Sequence, residues 1–362
     1  MKTRGLKPTS ENIAYSGDII AQGGLVAFPT ETVYGLGANG LDPVAIEKIY
    51  KAKGRPADNP MIFHISSPLD LEFLAQIITR EMEALIVAFW PGPLTLVVKK
   101  RPIVPDIATG GLDTVAVRMP DHPIALELIE RAQCPIVAPS ANLSGRPSPT
   151  RYQDVWEDMG GGIDVILEGD DCQVGIESTV VDMTIPGQIR VLRPGAISPK
   201  DIESALEAAN IDGIKVLWER GKIQQRGSGE NQIIPSCEET PDREEAPKSP
   251  GMKYRHYAPK GEMIVVEGDR EKVKKKIQEL KKEAELERND KGEMKRVAIL
   301  FLEDMDPQEV AHSFFARLRD LDRQEVDLIL AGAIKEEEDG SGIGGALMNR
   351  MLKAAGHQVI KA

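Results

Sequence analysis

The apolar residues of this chain come in short runs that proline and glycine cut off before they lengthen. Residues 25–28, 61–63, 94–98, 115–118, 135–138 and 165–167 read as strands of a few residues each, with helical spacing in the stretches between them. Short strands mixed with helices define an α/β fold. With 33 Gly and 25 Pro in the chain, the breaks argue against a regular doubly wound sheet.

Local signals place the helices. Residues 10–22 have Ser10 as N-cap and Gly23-Gly24 as stop, and residues 43–50 have Asp42 as N-cap with Pro43 at the first helical position. Further helices are expected over 69–78, 81–89, 123–131 and 150–158, putting Phe73, Leu74, Leu85, Ile86 and Phe89 in the core. Trp90 reads as a packing anchor. Residues 190–193 read as the last strand of a first domain and 199–209 as its closing helix, with Ser198 as N-cap.

A chain of 362 residues is long for one core and predicts two domains. From about 221 to 248 apolar periodicity gives way to Gly, Ser, Pro and Glu, the composition of a linker. Beyond it, 263–267, 297–302 and 326–331 read as strands separated by helices, a small parallel α/β pattern. The helix from Pro307 carries a capping-box signature, Asp306 with Glu309 three residues on. Residues 340–345, GSGIGG, match G-x-G-x-x-G, but the preceding residues are charged and the chain stops before an acidic ribose partner could follow. They read as a glycine turn that starts a helix.

Composition excludes several classes. No apolar run approaches the roughly 18 residues of a membrane span, and the N-terminal segment lacks a signal-peptide core, so the expected compartment is the cytoplasm. Cys134, Cys172 and Cys237 are isolated, which indicates ordinary thiols rather than zinc ligands or a disulfide framework. A net charge of −12 opposes non-specific nucleic-acid binding, so any RNA contact must be local and weak. No G-x-x-x-x-G-K-[ST] stretch is present, which excludes a P-loop.

Two stretches concentrate chemistry. In KAKGRPADNPMIFH (51–64), Lys51, Lys53 and Arg55 crowd into five residues beside Gly54, Pro56 and Pro60, so cations sit on an exposed backbone turn suited to an anion. In APSANLSGRPS (138–148), Ser140, Asn142, Ser144 and Ser148 lie on a Gly/Pro-rich turn after an apolar run, where hydroxyls and amides can bind phosphate, ribose or carboxylate oxygens. Thr30 and Thr32 follow the strand at 25–28, and Arg118 ends another strand before a proline turn.

With FPTETVYGLG (28–37), WPGPLT (90–95), TVAVRMPDHP (114–123), GIESTVVD (175–182) and LRPGAI (192–197), these stretches resemble the YrdC-like domain family. PGMKYRHYAP (250–259) and the C-terminal region extend the resemblance to the long, two-domain threonylcarbamoyl-AMP synthases. That resemblance implies a YrdC-like twisted mixed sheet around a concave face, followed by a small Rossmann-like parallel α/β domain. It places the catalytic domain at residues 1–212, a linker at 213–260 and the second domain at 261–362. Within the linker the cluster Lys253, Tyr254, Arg255, His256 and Tyr257 makes 250–259 either an active-site lid or a basic tether.

The implied reaction is ATP-dependent condensation of L-threonine with bicarbonate or carbon dioxide to threonylcarbamoyl-AMP and pyrophosphate. Its product supplies N6-threonylcarbamoyladenosine in tRNA through a separate transfer enzyme. Matched by motif, Thr32, His64, Arg118, Ala138 and Ser178 are the threonine positions. Arg55, Asn59, Thr114, Ser140, Ser148 and Arg193 are the ATP positions, with Asn142 close by and Tyr254 added from the lid reading; Lys53 and Arg55 are the catalytic cations. Mg²⁺ is expected with ATP and no dedicated protein metal site. His64 is either a base for the substrate ammonium or a structural hydrogen-bonder. Two other classes compete: a non-catalytic RNA-binding factor, which the acidic balance weakens, and a carbamoyl-transfer module, whose cysteine-rich zinc motifs are missing.

Overall fold

A computed structural model of the chain describes residues 2–218, 256–302, 305–334 and 342–362. They form two compact units, one of residues 2–144 and 148–218, the other of residues 145–147 and the described residues beyond 255. The linker expected at 221–248, Cys237, and most of the expected lid, including Tyr254, lie outside the described residues. Among the described residues no helix is long and apolar enough to cross a membrane.

The first unit is built on one mixed sheet. Its strands are β1 (Arg4–Leu6), β2 (Val26–Phe28), β3 (Gly35–Asn39), β4 (Ile62–His64), β5 (Leu94–Lys99), β6 (Thr114–Arg118), β7 (Ile136–Val137), β8 (Val165–Leu167), β9 (Thr179–Asp182), β10 (Gln188–Arg193) and β11 (Lys215–Trp218). They lie in the order β1-β8-β2-β3-β7-β4-β6-β5-β9-β10-β11, parallel and antiparallel neighbours interleaved. The helices are α1 (Ser10–Ala21), α2 (Pro43–Lys53), α3 (Leu71–Leu74), α4 (Arg80–Phe89), α5 (Asp106–Thr109), α6 (Pro123–Ala132), α7 (Tyr152–Met159) and α8 (Pro199–Ala208).

Strand alternation sorts the core. Leu25 and Ala27 belong to one apolar cluster and Val26 and Phe28 to another, as do Val137 against Ile136 and Ala138. α1 and α6 cover the second cluster through Ile13, Ile20, Leu128 and Ile129. α2, α4 and α8 close the first through Ile46, Ile49, Leu85 and Ile202. A third, smaller cluster joins Ile62, Val97, Ala116 and Val180, and no helix residue belongs to it among the described residues.

Several expectations change. The N-cap of α1 is Thr9, whose side chain accepts from the Asn12 N–H, rather than Ser10. α2 runs on to Lys53 and stops at Gly54 in the left-handed conformation, so Lys53 sits in a helix and is 3% exposed; it is not on an exposed turn. Residues 69–78 are not one helix. A 3₁₀ turn (Pro68–Asp70) and the single turn of α3 are followed by a segment drawn onto β5, where the Gln76 N–H donates to the Lys99 carbonyl. Phe73 is consequently 66% exposed instead of core, while Leu74 and Leu85 are buried. Trp90 is the anchor expected, its Nε1–H donating to the Leu94 carbonyl at 2.7 Å. β10 is not the last strand, because β11 pairs parallel to it.

The second unit is a parallel four-stranded sheet. β12 (Glu262–Glu267), β13 (Val297–Leu300), β14 (Leu328–Gly332) and β15 (Val359–Lys361) lie in the order β13-β14-β12-β15. α9 (Arg270–Ala284), α10 (Pro307–Arg323) and α11 (Gly342–Ala354) connect them. Asp306 does stand at the N-cap of α10, but its carboxylate makes no capping bond, so the expected box does not form. Residue spacing supplies the partners of such a box; the rotamer decides whether they meet. α11 starts at Gly342, with φ +72°, as a glycine turn should.

Gly195, just after β10, permits a close backbone approach. A Cβ there would stand 2.3 Å from the Thr179 nitrogen and 2.7 Å from the Ser178 carbonyl carbon. Since the obstacle is backbone, it cannot rotate away. Gly195→Ala is expected to destabilise the first unit by about 1–3 kcal/mol, seen as a lower urea midpoint, and to displace Ser178.

Candidate active site

The strand face of this third cluster carries the polar residues, all of them buried. Alternation puts His64 with Ile62, Thr95 with Val97, Thr114 and Arg118 with Ala116, and Ser178 with Val180. The small cluster Ile62, Val97, Ala116 and Val180 is thus an apolar floor with polar residues at both ends. Register aligns them, His64 opposite Arg118, Thr95 opposite Val180, and Val180 opposite Arg193. Thr114 and Arg118 lie four residues apart on one strand, about 13 Å.

At one end stands Arg118, 4% exposed. Its Nη1 donates to Thr32 Oγ1 at 2.9 Å and its Nε to the Gly92 carbonyl at 3.2 Å. Its Nη2 lies 2.6 Å from Glu31 Oε1, an ion pair whose angle is not that of a hydrogen bond, and neither Nη2 nor either Glu31 oxygen has a hydrogen-bond partner. Thr30 and Thr32 divide their work. Thr30 Oγ1 donates to the Val33 carbonyl and accepts the Thr32 and Val33 N–H groups, capping the turn, while the Thr32 hydroxyl shares a 2.9 Å bond with Thr30 Oγ1 and accepts from Arg118. Ser178 Oγ shares a 2.7 Å bond with Thr95 Oγ1 and accepts from Arg193 Nη2 at 3.1 Å. Ser148 donates to Glu177 Oε1 at 2.6 Å.

His64, beside Arg118, is buried, with Nδ1 3.2 Å from the Ile62 carbonyl and its ring edge-on to Phe28. Burial first, then the Arg118 charge, hold its pKa down at about 3. It is therefore a neutral imidazole at pH 7.

The other end gathers the basic segment and the second loop. Lys53 Nζ donates to the Ser140 and Asn142 carbonyls, both at 2.5 Å, and the Lys53 carbonyl accepts the Ser144 N–H. Ser140 Oγ donates to Asn142 Oδ1, so this turn is bonded both within itself and to the end of α2. Arg55 is half-buried and donates to the Asn59 and Pro60 carbonyls, while Lys51 is exposed and pairs with Glu47. Asn59 is 1% exposed, and its Oδ1 is buried without a hydrogen bond. Ala138 lies between the ends, its N–H donating to the Ile62 carbonyl.

Three residues of the site escape a reading of the sequence: Glu31, Thr95 and Glu177, all buried. Glu31 and Glu177 sit inside quoted motifs as acids among small, hydroxyl and apolar residues, which is the signal that could have marked them. Thr95 is the one hydroxyl in the buried part of β5, among Leu94, Leu96, Val97 and Val98. Burial pushes the Cys172 thiol up and the Cys134 thiol up to about 11, so neither is a nucleophile at neutral pH.

A mixed sheet with one polar-ended face, followed by a small parallel α/β unit, defines a two-domain YrdC-like protein. Residues 18–195 match the family described as "Telomere recombination", and residues 197–356 the family described as "Threonylcarbamoyl-AMP synthase, C-terminal domain". The threonylcarbamoyl-AMP synthase of Pyrococcus abyssi is 46% identical over 96% of this chain and 95% of its own length. That of Bacillus subtilis is 37% identical over 99% and 97%. The crystal structure of P. abyssi Sua5 complexed with L-threonine superposes with a TM-score of 0.81 at 43% identity, over 100% of both chains. The chain belongs to the threonylcarbamoyl-AMP synthase family.

The neutral His64 has a measurable consequence. An unfolded-state imidazole protonates near the ordinary 6.5 and the folded one near 3, so between these values the unfolded state binds more protons. The stabilisation is complete above about pH 6.5 and is lost as pH falls toward 3. His64→Gln is expected to flatten this acid limb of urea-midpoint against pH. Activity should show no inflection from His64 near neutrality.

Proposed function

We propose that the first unit condenses L-threonine, bicarbonate or carbon dioxide, and ATP into threonylcarbamoyl-AMP and pyrophosphate, in the cytoplasm, for transfer to tRNA by a separate enzyme. The observation that carries this reading is Arg118, a guanidinium buried at one end of the polar strand face. Its Nη2 touches Glu31 Oε1 without making a hydrogen bond, and Asn59 Oδ1, just ahead of β4, is buried without a hydrogen bond. Buried polar groups are nearly always satisfied, so each is a place where a ligand can supply a partner. The guanidinium suits a carboxylate, and the amide oxygen suits a donor such as an amine or hydroxyl. The P. abyssi relative, crystallised with L-threonine, supports the choice of amino acid.

In this reading Arg118 takes the threonine carboxylate, and Thr32, His64, Ala138 and Ser178 enclose the rest. Arg55, Asn59, Thr114, Ser140, Asn142, Ser148 and Arg193 receive the nucleotide. The chemical difficulty is attack by an anionic carbamate on an anionic phosphate, so positive charge and positioning do most of the work. Arg55 supplies charge near the phosphates. Lys53 fixes the Ser140 and Asn142 carbonyls, which orients their side chains toward the nucleotide, and adds its own buried charge. Among the described residues no group of three His, Cys, Asp or Glu side chains could hold a metal. In this reading Mg²⁺ would come with ATP and would neutralise charge on the triphosphate.

The test is pyrophosphate release from ATP, expected to require both threonine and bicarbonate; release independent of either overturns the reading. Arg118→Ala is expected to raise the threonine KM by tenfold or more, since a charge-assisted hydrogen-bonded pair contributes about 1.5–3 kcal/mol. The ATP KM should change much less.

A further inference from the structure

Glu31 is a carboxylate that the fold buries and then leaves incompletely answered. It is 5% exposed, and both its oxygens are shielded from water and lack a hydrogen bond. Its position is fixed by backbone, because the Glu31 carbonyl accepts the Val174 N–H at 2.7 Å and Thr30 and Thr32 on either side form the capped turn. Among the described residues the cation it touches is Arg118 Nη2 at 2.6 Å, the same nitrogen that lacks a hydrogen bond. Two opposite buried charges therefore touch with unused hydrogen-bonding capacity on each. A carboxylate ligand that engaged only Arg118 would draw the cation away and strand Glu31 without a counter-charge.

An α-amino acid solves this problem because it carries both charges on one carbon. We propose that Glu31 is the specificity-determining residue for the substrate's α-ammonium. In the free enzyme it holds the place of the substrate carboxylate on Arg118. When the zwitterion enters, its carboxylate takes Arg118 and its ammonium takes Glu31, so the pocket stays electrically balanced. The inference rests on the amino-acid reading of the site given above, and it adds a requirement for the positive charge on nitrogen. The titratable groups around the pair are His122 and Cys172, on which the Glu31 charge acts, and His64, on which the Arg118 charge acts; Asp170 and Asp171 act on His122 and Cys172 in turn. Burial lowers the His122 pKa, lowers that of His64 to about 3 and raises that of Cys172, so each is driven toward its neutral form. None of them replaces Glu31 as the anion in contact with Arg118.

Calorimetric titration of the full chain with L-threonine and with 3-hydroxybutanoate, which keeps the carboxylate and hydroxyl but has no α-ammonium, tests this. Wild type is expected to favour threonine strongly. In Glu31→Gln the preference should shrink by at least about tenfold, through weaker threonine binding and unchanged or tighter 3-hydroxybutanoate binding. An unaltered preference overturns the inference while leaving the functional reading in place. Wild type that binds neither acid overturns both. A second measurement needs no variant: raising pH through the pKa of the threonine amine should weaken threonine binding to wild type and leave 3-hydroxybutanoate binding level. Threonine binding that tightens with pH would mean the neutral amine is the bound form, and would also overturn the role given to Glu31.

Discussion

The first unit depends on keeping a guanidinium almost completely out of water. An unanswered buried charge costs several kcal/mol, so a chain that buries Arg118 must surround it with acceptors. The fold draws acceptors and a counter-charge from two separated segments: the Thr32 hydroxyl and the Glu31 carboxylate after β2, and the Gly92 carbonyl before β5. Those contacts also fix β6 against its neighbours at the end where His64, Thr95 and Ser178 align. Burial of one cation thereby organises a whole edge of the polar face, and the same burial depresses the basicity of His64.

The opposite end uses a cation differently. Lys53 is buried at the end of α2 with its ammonium between two carbonyls of the 138–148 loop, which makes it a clamp on that loop. A loop of Ser, Asn and Gly would otherwise sample many conformations, and ordering it on ligand binding would cost affinity. Holding the loop in the free protein removes part of that cost in advance. The apolar floor between the ends consists of small and β-branched residues, which leave the strand face low.

Corrections to the sequence reading share a cause. The helical spacing around Phe73 is real, but residues 75 and 76 pair with β5, and that pairing ends α3 after one turn. Lys53 looked exposed because charge and neighbouring turn residues usually mean solvent, whereas the partners that bury it lie nearly ninety residues away at Ser140 and Asn142. The acids Glu31 and Glu177 were inside recognised motifs yet unassigned, since their importance comes from what they touch.

By itself the sequence determined the α/β class, the position of most strands and helices, the motifs that place the chain in its family, and the residue types available for an anionic substrate. These follow from local periodicity, capping and turn chemistry, which act over a few residues. Tertiary structure alone decided which strand face forms a cluster without helix residues among the described residues, which polar groups share it, and which of them lack hydrogen bonds. Such facts depend on strand order and register across a mixed sheet whose neighbours are distant in the chain. No local rule specifies that Glu31 and Arg118 should meet.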